Sequence, residues 1–184
     1  MTDVKVVLHQ DDMARALTRI AHEIAERNAD DVNIAIVGIH RRGAILASRL
    51  RETLRDLLGG EVPLGDLDIA FYRDDVAQRP DAPVLHSTHL DFDVDGRTIV
   101  IVDDVLYTGR TVRAAIEALF DYGRPERVQL AVLADRGHRE LPIRPDYVGK
   151  NLPTARAERV NVRVAEIDGV DEVGISAAPQ EVSA

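Results

Sequence analysis

The sequence predicts an α/β fold with a largely parallel central sheet flanked by helices, and three observations carry that prediction. Residues 99–102, Ile-Val-Ile-Val, form a β-branched run of the kind buried on both faces of a parallel sheet. Similar apolar runs at 33–37 and 128–134 alternate along the chain with stretches of helical periodicity. The run at 99–102 ends on two carboxylates, Asp103 and Asp104, and the turn Thr108-Gly-Arg-Thr111 then opens a helix. That order places polar groups at the carboxyl end of a strand, where open α/β sheets hold ligands.

Taken from the N-terminus, Asp12 is placed to cap a helix reaching about residue 28. Met13, Leu17, Ile20, Ala21 and Ile24 fall on one of its faces, and Thr18, Arg19, His22 and Arg27 on others. Residues 33–37 read as a buried strand and 38–43 as a turn. A helix follows over 44–58, with Ile45, Leu46, Leu50, Leu54 and Leu57 inward and Gly59-Gly60 ending it. Residues 67–72 read as the next strand. The stretch 73–83 is polar, holds Pro80 and Pro83 and lacks periodicity, which predicts a mobile loop. Residues 86–92 and 97–103 flank an Asp95-Gly96 turn and suit a hairpin. The helix at 111–120 stops by Gly123, strands follow at 128–134 and 159–164, and 176–184 reads as a frayed tail.

Composition narrows the function classes. A chain of 184 residues predicts one domain, long enough to bury on the order of 70 % of its unfolded surface. Without cysteine there is no disulfide framework, thiolate nucleophile or thiolate metal site. No apolar run approaches the roughly 20 residues of a membrane span, and the first residues lack a signal-peptide core, so a soluble, cytoplasmic protein is expected. A net charge of −9 argues against DNA binding and generic nucleic-acid coating, while leaving room for a local basic face.

At the strand end, Asp103 and Asp104 are acceptors suited to a vicinal diol. The amides of Thr108 to Thr111, the Thr hydroxyls and Arg110 form a donor cluster suited to a monoester phosphate, and Gly109 lets the backbone approach. Together they describe a ribose 5-phosphate site. A helix cap alone is the competing reading. Consecutive strand residues point to opposite faces, so the pair alone would share a metal only on an irregular backbone. No Gly-x-x-x-x-Gly-Lys-Ser/Thr motif occurs, which disfavours a Walker-type site. One strand-turn-helix earlier, Gly38-Ile-His40-Arg41-Arg42-Gly43 offers two guanidiniums and glycine-permitted amides suited to a pyrophosphate. A solvated basic turn is the alternative. Amides converging on a pyrophosphate lead us to expect a non-proline cis peptide near residues 39–41.

Val102-Asp-Asp-Val-Leu-Tyr-Thr-Gly-Arg-Thr111 resembles the phosphoribosyl pyrophosphate (PRPP) signature of type I phosphoribosyltransferases, in the form found in the PyrR family. Asp135-Arg-Gly-His-Arg-Glu-Leu-Pro-Ile-Arg-Pro-Asp-Tyr-Val-Gly-Lys-Asn-Leu-Pro-Thr154 resembles that family more than other phosphoribosyltransferases. The resemblance runs from the first helix to about Val164. It implies the type I phosphoribosyltransferase fold and a uracil phosphoribosyltransferase making UMP and pyrophosphate from uracil and PRPP, with Mg²⁺ bridged by substrate. It also implies a regulator that binds pyrimidine operon leader mRNA in response to UMP, built as a homodimer or homotetramer.

Carried over residue by residue, the resemblance assigns Asp103, Asp104 and Arg41 to catalysis. Val105, Leu106, Tyr107, Thr108, Gly109, Arg110 and Thr111 fall to the PRPP phosphate, and His40, Arg41, Arg42 and Gly43 to the pyrophosphate loop. His40 stands where many relatives carry lysine. Arg73 is implied to reach pyrophosphate from a flexible hood, Asp135, Arg136 and Val160 to meet the base, and Thr18, Arg19, His22, Arg27, His138, Arg139, Arg144 and Lys150 to meet RNA. For the last group a solvated charged face is the competing reading. Two other functions stay open: an RNA-binding or nucleotide-sensing regulator with vestigial catalysis, and a purine phosphoribosyltransferase on the same scaffold.

Overall fold

The strands divide between two sheets in the computed structural model, which describes residues 4–31, 33–74 and 87–177. Five form the larger sheet: β2 (Ile34–Ile39), β3 (Leu64–Leu67), β4 (Thr98–Leu106), β5 (Arg127–Asp135) and β6 (Tyr147–Asn151), in the order β3-β2-β4-β5-β6 with every pairing parallel. The other three, β1 (Val4–His9), β7 (Glu158–Arg163) and β8 (Glu172–Ala177), pair antiparallel as β1-β8-β7. The helices are α1 (Gln10–Arg27), α2 (Arg42–Leu58), α3 (Arg110–Phe120) and the short α4 (Ala165–Asp168). None is long and apolar enough to cross a membrane among the described residues.

Strand alternation explains the layering. Val100 and Val102 of β4 pack with Met13, Ile20 and Ile24 of α1 and Leu46, Leu50 and Leu54 of α2. Ile99 and Ile101 pack on the opposite face with Val112, Ala115 and Leu119 of α3. Central strands covered on both faces need apolar residues at every position, hence the unbroken run. A buried polar triad locks α1 to the sheet: Asn28 donates from Nδ2 to Ile24 O (2.8 Å) and to Gln129 Oε1 (3.0 Å), and Tyr147 Oη donates to the same Gln129 oxygen (2.8 Å).

Several expectations are corrected. α1 starts at Gln10 with His9 as N-cap, and Asp12 sits at N3, accepting the His9 N–H at 3.0 Å. Leu57 is 40 % exposed rather than inward. The strand expected at 67–72 lies earlier, at β3, because Asp68 accepts the Ala70 N–H (2.9 Å) and turns the chain. The hairpin about Asp95-Gly96 does not form: Gly96 donates to Arg124 O at 3.0 Å, and β4 pairs parallel with β2 and β5. Ser176 belongs to β8 and accepts a bond from Asn161 Nδ2 at 3.2 Å, so no tail begins there; residues 178–184 lie outside the described residues. So do 75–86, most of the expected mobile loop.

An ion-pair network holds the smaller sheet to α2. Arg49 donates to Glu166 (Nε to Oε1, 3.0 Å) and to both oxygens of Asp171 (2.9 and 2.8 Å), while Arg42 donates to Asp168 (2.9 Å). The arginine hydrogen bonds hold the three carboxyls below the ordinary carboxylate range. A depressed folded value adds stability above the unfolded pKa, near 4, and that stability is lost as pH falls through the folded value. Arg49→Met is therefore expected to cost about 1–3 kcal/mol at neutral pH, discounted for the half-exposed Glu166. Thermal unfolding from pH 7 downward checks this, with the gap to wild type closing below the usual carboxylate range.

Candidate active site

β4 carries the acid pair to the carboxyl edge of the sheet, and the Tyr107-Thr108-Gly109 turn feeds α3. Gly109, the N-cap of α3, has φ +95° and no side-chain acceptor, and a Cβ there would lie 3.4 Å from Ile143. The segment after β5 braces this turn: Thr108 O accepts the N–H groups of Glu140 (3.0 Å) and Leu141 (3.2 Å), and Arg139 Nη1 donates to Tyr107 O (2.9 Å). A cavity of about 410 Å³ opens over the turn, lined among others by Arg73, Asp103, Thr108, Gly109, Arg110 and Thr111. Arg73 reaches Thr111 Oγ1 at 3.5 Å. The Arg110 guanidinium points outward to Asp74 and to Glu140 (3.1 Å), so backbone and hydroxyl groups dominate the cavity's donor set.

The acids are unlike each other. Asp103 is 6 % exposed, whereas Asp104 is half-buried. Burial pushes the Asp103 carboxyl well above its usual range, reinforced by the charge of Asp104. Each carboxylate accepts the next residue's N–H, Asp104 N to Asp103 at 2.9 Å and Val105 N to Asp104 at 2.8 Å. Face alternation breaks at this pair: Val102 and Val105 join the same hydrophobic cluster, as do Ile101 and Leu106 in the opposite one. β4 nevertheless keeps an unbroken parallel register with β5 through the pair, Asp103 opposite Val132 and Val105 opposite Ala134.

Glycines bring the loop after β2 against this edge. A Cβ on Gly38 would lie 2.3 Å from Ala44 Cα, and one on Gly43 would lie 2.5 Å from Val102 O and 3.2 Å from Asp103 Cα. Only hydrogen fits at either position. The His40–Arg41 peptide is cis, as expected. Arg41 is exposed, and His40 pairs through Nε2 with Asp66 at 2.6 Å. Arg42, grouped with the anion-binding residues from sequence, is engaged bidentately with Asp168 of α4 and braces the loop from behind.

At the end of β5, Asp135 accepts from Gly137 N (3.0 Å) and pairs with Arg139. Arg136 is 6 % exposed, lies 4.0 Å over the Tyr107 ring and donates to Ala155 O at 3.1 Å. Its Nε is a buried atom without a partner among the described residues. Sequence reasoning assigned Tyr107 only to the phosphate turn; its ring also faces Arg136 in a cation–π contact. Val160 lies on β7 in the other sheet and packs against the same cluster as Val105.

The basic residues assigned to RNA fall into two settings. Thr18, Arg19, His22 and Arg27 are exposed on α1, which lies beside β6. Arg19 donates to Val148 O (3.1 Å), Gly149 O (2.6 Å) and Glu23 (2.8 Å), Arg27 pairs with Asp146 (2.8 Å), and His22 Nδ1 donates to Thr18 O (2.8 Å). His138, at φ +64°, is turned to Thr154 O. Arg139 and Arg144 line a groove with Pro142, Pro145, Val148 and Asn151, and Lys150 is exposed on β6 next to it.

A parallel sheet carries an acid pair, a glycine turn opening a helix and a second glycine-framed loop along its carboxyl edge, and residues 3–166 match the phosphoribosyl transferase domain family, so the fold is that of a phosphoribosyltransferase. Among curated relatives, the Bifunctional protein PyrR of Roseiflexus sp. (strain RS-1) is 61 % identical over 172 residues, covering 93 % of this chain and 94 % of that protein. The protein of the same name from Deinococcus radiodurans is 59 % identical over 91 % of each. The chain belongs to the PyrR family. Among solved structures, the hypoxanthine phosphoribosyltransferase of Trypanosoma cruzi superposes with TM-score 0.71 at 17 % identity, covering 95 % of this chain and 97 % of that one, a likeness of fold. A purine phosphoribosyltransferase from Pyrococcus horikoshii is 30 % identical with TM-score 0.58, covering 78 % and 85 %.

Proposed function

We infer that the protein joins uracil N1 to C1 of PRPP, releasing pyrophosphate, and that it regulates pyrimidine operons by UMP-dependent binding of leader mRNA in the cytoplasm. The observation that carries the catalytic half is the approach of Gly43 to Val102 O and Asp103, which sets the anion loop and the diol acids side by side. Displacement at an anomeric carbon passes through a cationic, loosely bonded sugar, so these residues act by positioning and electrostatics. The turn from Val105 to Thr111 holds the 5-phosphate, Asp103 and Asp104 hold the ribose hydroxyls, and Arg41 meets the leaving pyrophosphate. Arg73 closes from the hood and excludes water. Asp135, Arg136 and Val160 form the base side.

The donor set fits Mg²⁺: adjacent hard carboxylates, one half-exposed, suit a hydrated ion that takes its remaining ligands from substrate oxygens. When bound, it would neutralise charge on the departing pyrophosphate. Asp104 would hold it through water, and Asp103 would orient the diol. The proposed working form is a homodimer or homotetramer.

Thr111→Val tests the phosphate assignment. Removing one hydroxyl donor is expected to weaken PRPP and UMP binding roughly tenfold with the unfolding temperature unchanged. Calorimetric titration checks it, and unchanged affinity alongside lowered stability would give Thr111 a structural role. The function itself is tested by incubating PRPP and Mg²⁺ with uracil, hypoxanthine or guanine in parallel. UMP alone is the expected product; a purine nucleotide instead would replace the pyrimidine reading, and no nucleotide at all would leave a regulator without catalysis.

A further inference from the structure

One side-chain cluster is not used by the proposed reaction. His40 Nε2 lies 2.6 Å from Asp66 Oδ1, and His89 Nδ1 lies 3.1 Å from the same oxygen, with one ligand atom of each residue within 4.8 Å of the other two. These groups come from three separate stretches of chain, and the backbone of each is fixed. His40 N donates to Leu67 O at 3.0 Å. Asp66 and His89 exchange backbone bonds at 2.9 and 3.0 Å as an isolated antiparallel bridge, which sets their side chains opposite each other. Gly65 makes this approach possible, because a Cβ there would lie 2.8 Å from His89 O and 2.5 Å from the Leu90 side chain.

We propose that His40, Asp66 and His89 form a binding site for a divalent transition metal of the zinc class. Two imidazoles and a carboxylate are the donor set such ions take, whereas Mg²⁺ prefers oxygen ligands and keeps its waters. Ligands about 2.0–2.1 Å from a tetrahedral zinc lie roughly 3.4 Å apart, so small side-chain rotations bring these three to that spacing. The side chains are 21 % (His40), 27 % (Asp66) and 59 % (His89) exposed, so an ion enters from solvent and a fourth position stays open to water. Bound there, the ion clips the loop bearing Arg41 to β3 and to the chain entering β4. The site shares its loop with Arg41, and its test needs no substrate.

The test titrates Zn²⁺ into the full-length, untagged protein without PRPP, in competition with a chromophoric zinc indicator, and repeats it with Co²⁺ followed by visible absorption. One site per chain is expected, with the unfolding temperature rising in zinc and Mg²⁺ failing to compete. His89→Ala, at an exposed position, and Asp66→Asn should each weaken zinc by more than the roughly 10–100-fold that an outer hydrogen-bond partner of a metal ligand is worth. His22→Ala should bind as wild type. Equal zinc affinity in wild type and His89→Ala, with circular dichroism confirming that both are folded, would overturn the proposal. So would stabilisation by zinc that survives in His89→Ala.

Discussion

Asp103→Asn combined with Asp104→Asn is expected to lower kcat for UMP formation by roughly 10³-fold or more while the folded state persists. In the proposed reaction the pair supplies the acceptors for the ribose diol, and amides cannot offer the charge that a developing sugar cation needs. The stability side follows from burial. Asp103 has a raised folded pKa, the reverse of the usual aspartate case, so its contribution is favourable below the unfolded value, near 4, and is lost as pH rises through the folded value. An uncharged Asn at that position escapes this loss at neutral pH. The double variant should therefore unfold at or above the wild-type temperature at pH 7, with the advantage vanishing in acid. Steady-state kinetics and thermal scans over pH check both halves, and turnover within tenfold of wild type would remove the acids from the reaction. Stability bought by deleting a charge at the cost of activity is the signature of a site selected for chemistry.

What the sequence made legible followed from local physics. The run from Ile99 to Val102 announces a strand covered on both faces, and Met13, Ile20 and Ile24 announce the buried stripe of α1, because each pattern is written in a few consecutive turns or pleats. The strand-acid-turn-helix order was readable for the same reason: strand, acids, Gly109 and α3 are contiguous. Features set by distant partners were hidden. β6 lies between Pro145 and Pro153, and it forms because Gly149 lets the backbone pass Leu133, where a Cβ would lie 2.3 Å from the carbonyl oxygen. β8 became a strand by pairing with β1 from the far end of the chain. Arg42 read as an anion ligand because its partner, Asp168, is 126 residues away. Tyr107 under Arg136, and the His40–Asp66–His89 cluster, are likewise products of topology.

Arg144→Ala and Lys150→Ala are each expected to weaken leader RNA binding about five- to tenfold near physiological salt, and to lower the salt dependence by roughly one phosphate contact. Both residues are exposed beside the α1–β6 face. Arg19 is a poorer probe, since its bonds to Val148 O and Gly149 O also hold β6 against α1 and its loss would mix stability with contact. With a net charge of −9, non-specific RNA binding should be weak, so the effect is read against a low background. Uracil turnover without RNA should stay near wild type in both variants. If UMP favours the RNA-binding form, reciprocity requires RNA to tighten UMP by the same factor, because both ligands bias one equilibrium. Thr111→Val then acts in the opposite sense, sparing basal RNA affinity and moving the UMP response to roughly tenfold higher UMP. Arg139 touches both proposed sites: it lines the groove with Arg144 and donates to Tyr107 O in the turn before α3. Titrating RNA with and without saturating UMP, at several salt concentrations, reads affinity, slope and coupling together. A cognate leader stem-loop bound no better than a scrambled one would remove the regulatory half, and RNA affinity unchanged by saturating UMP would remove the coupling.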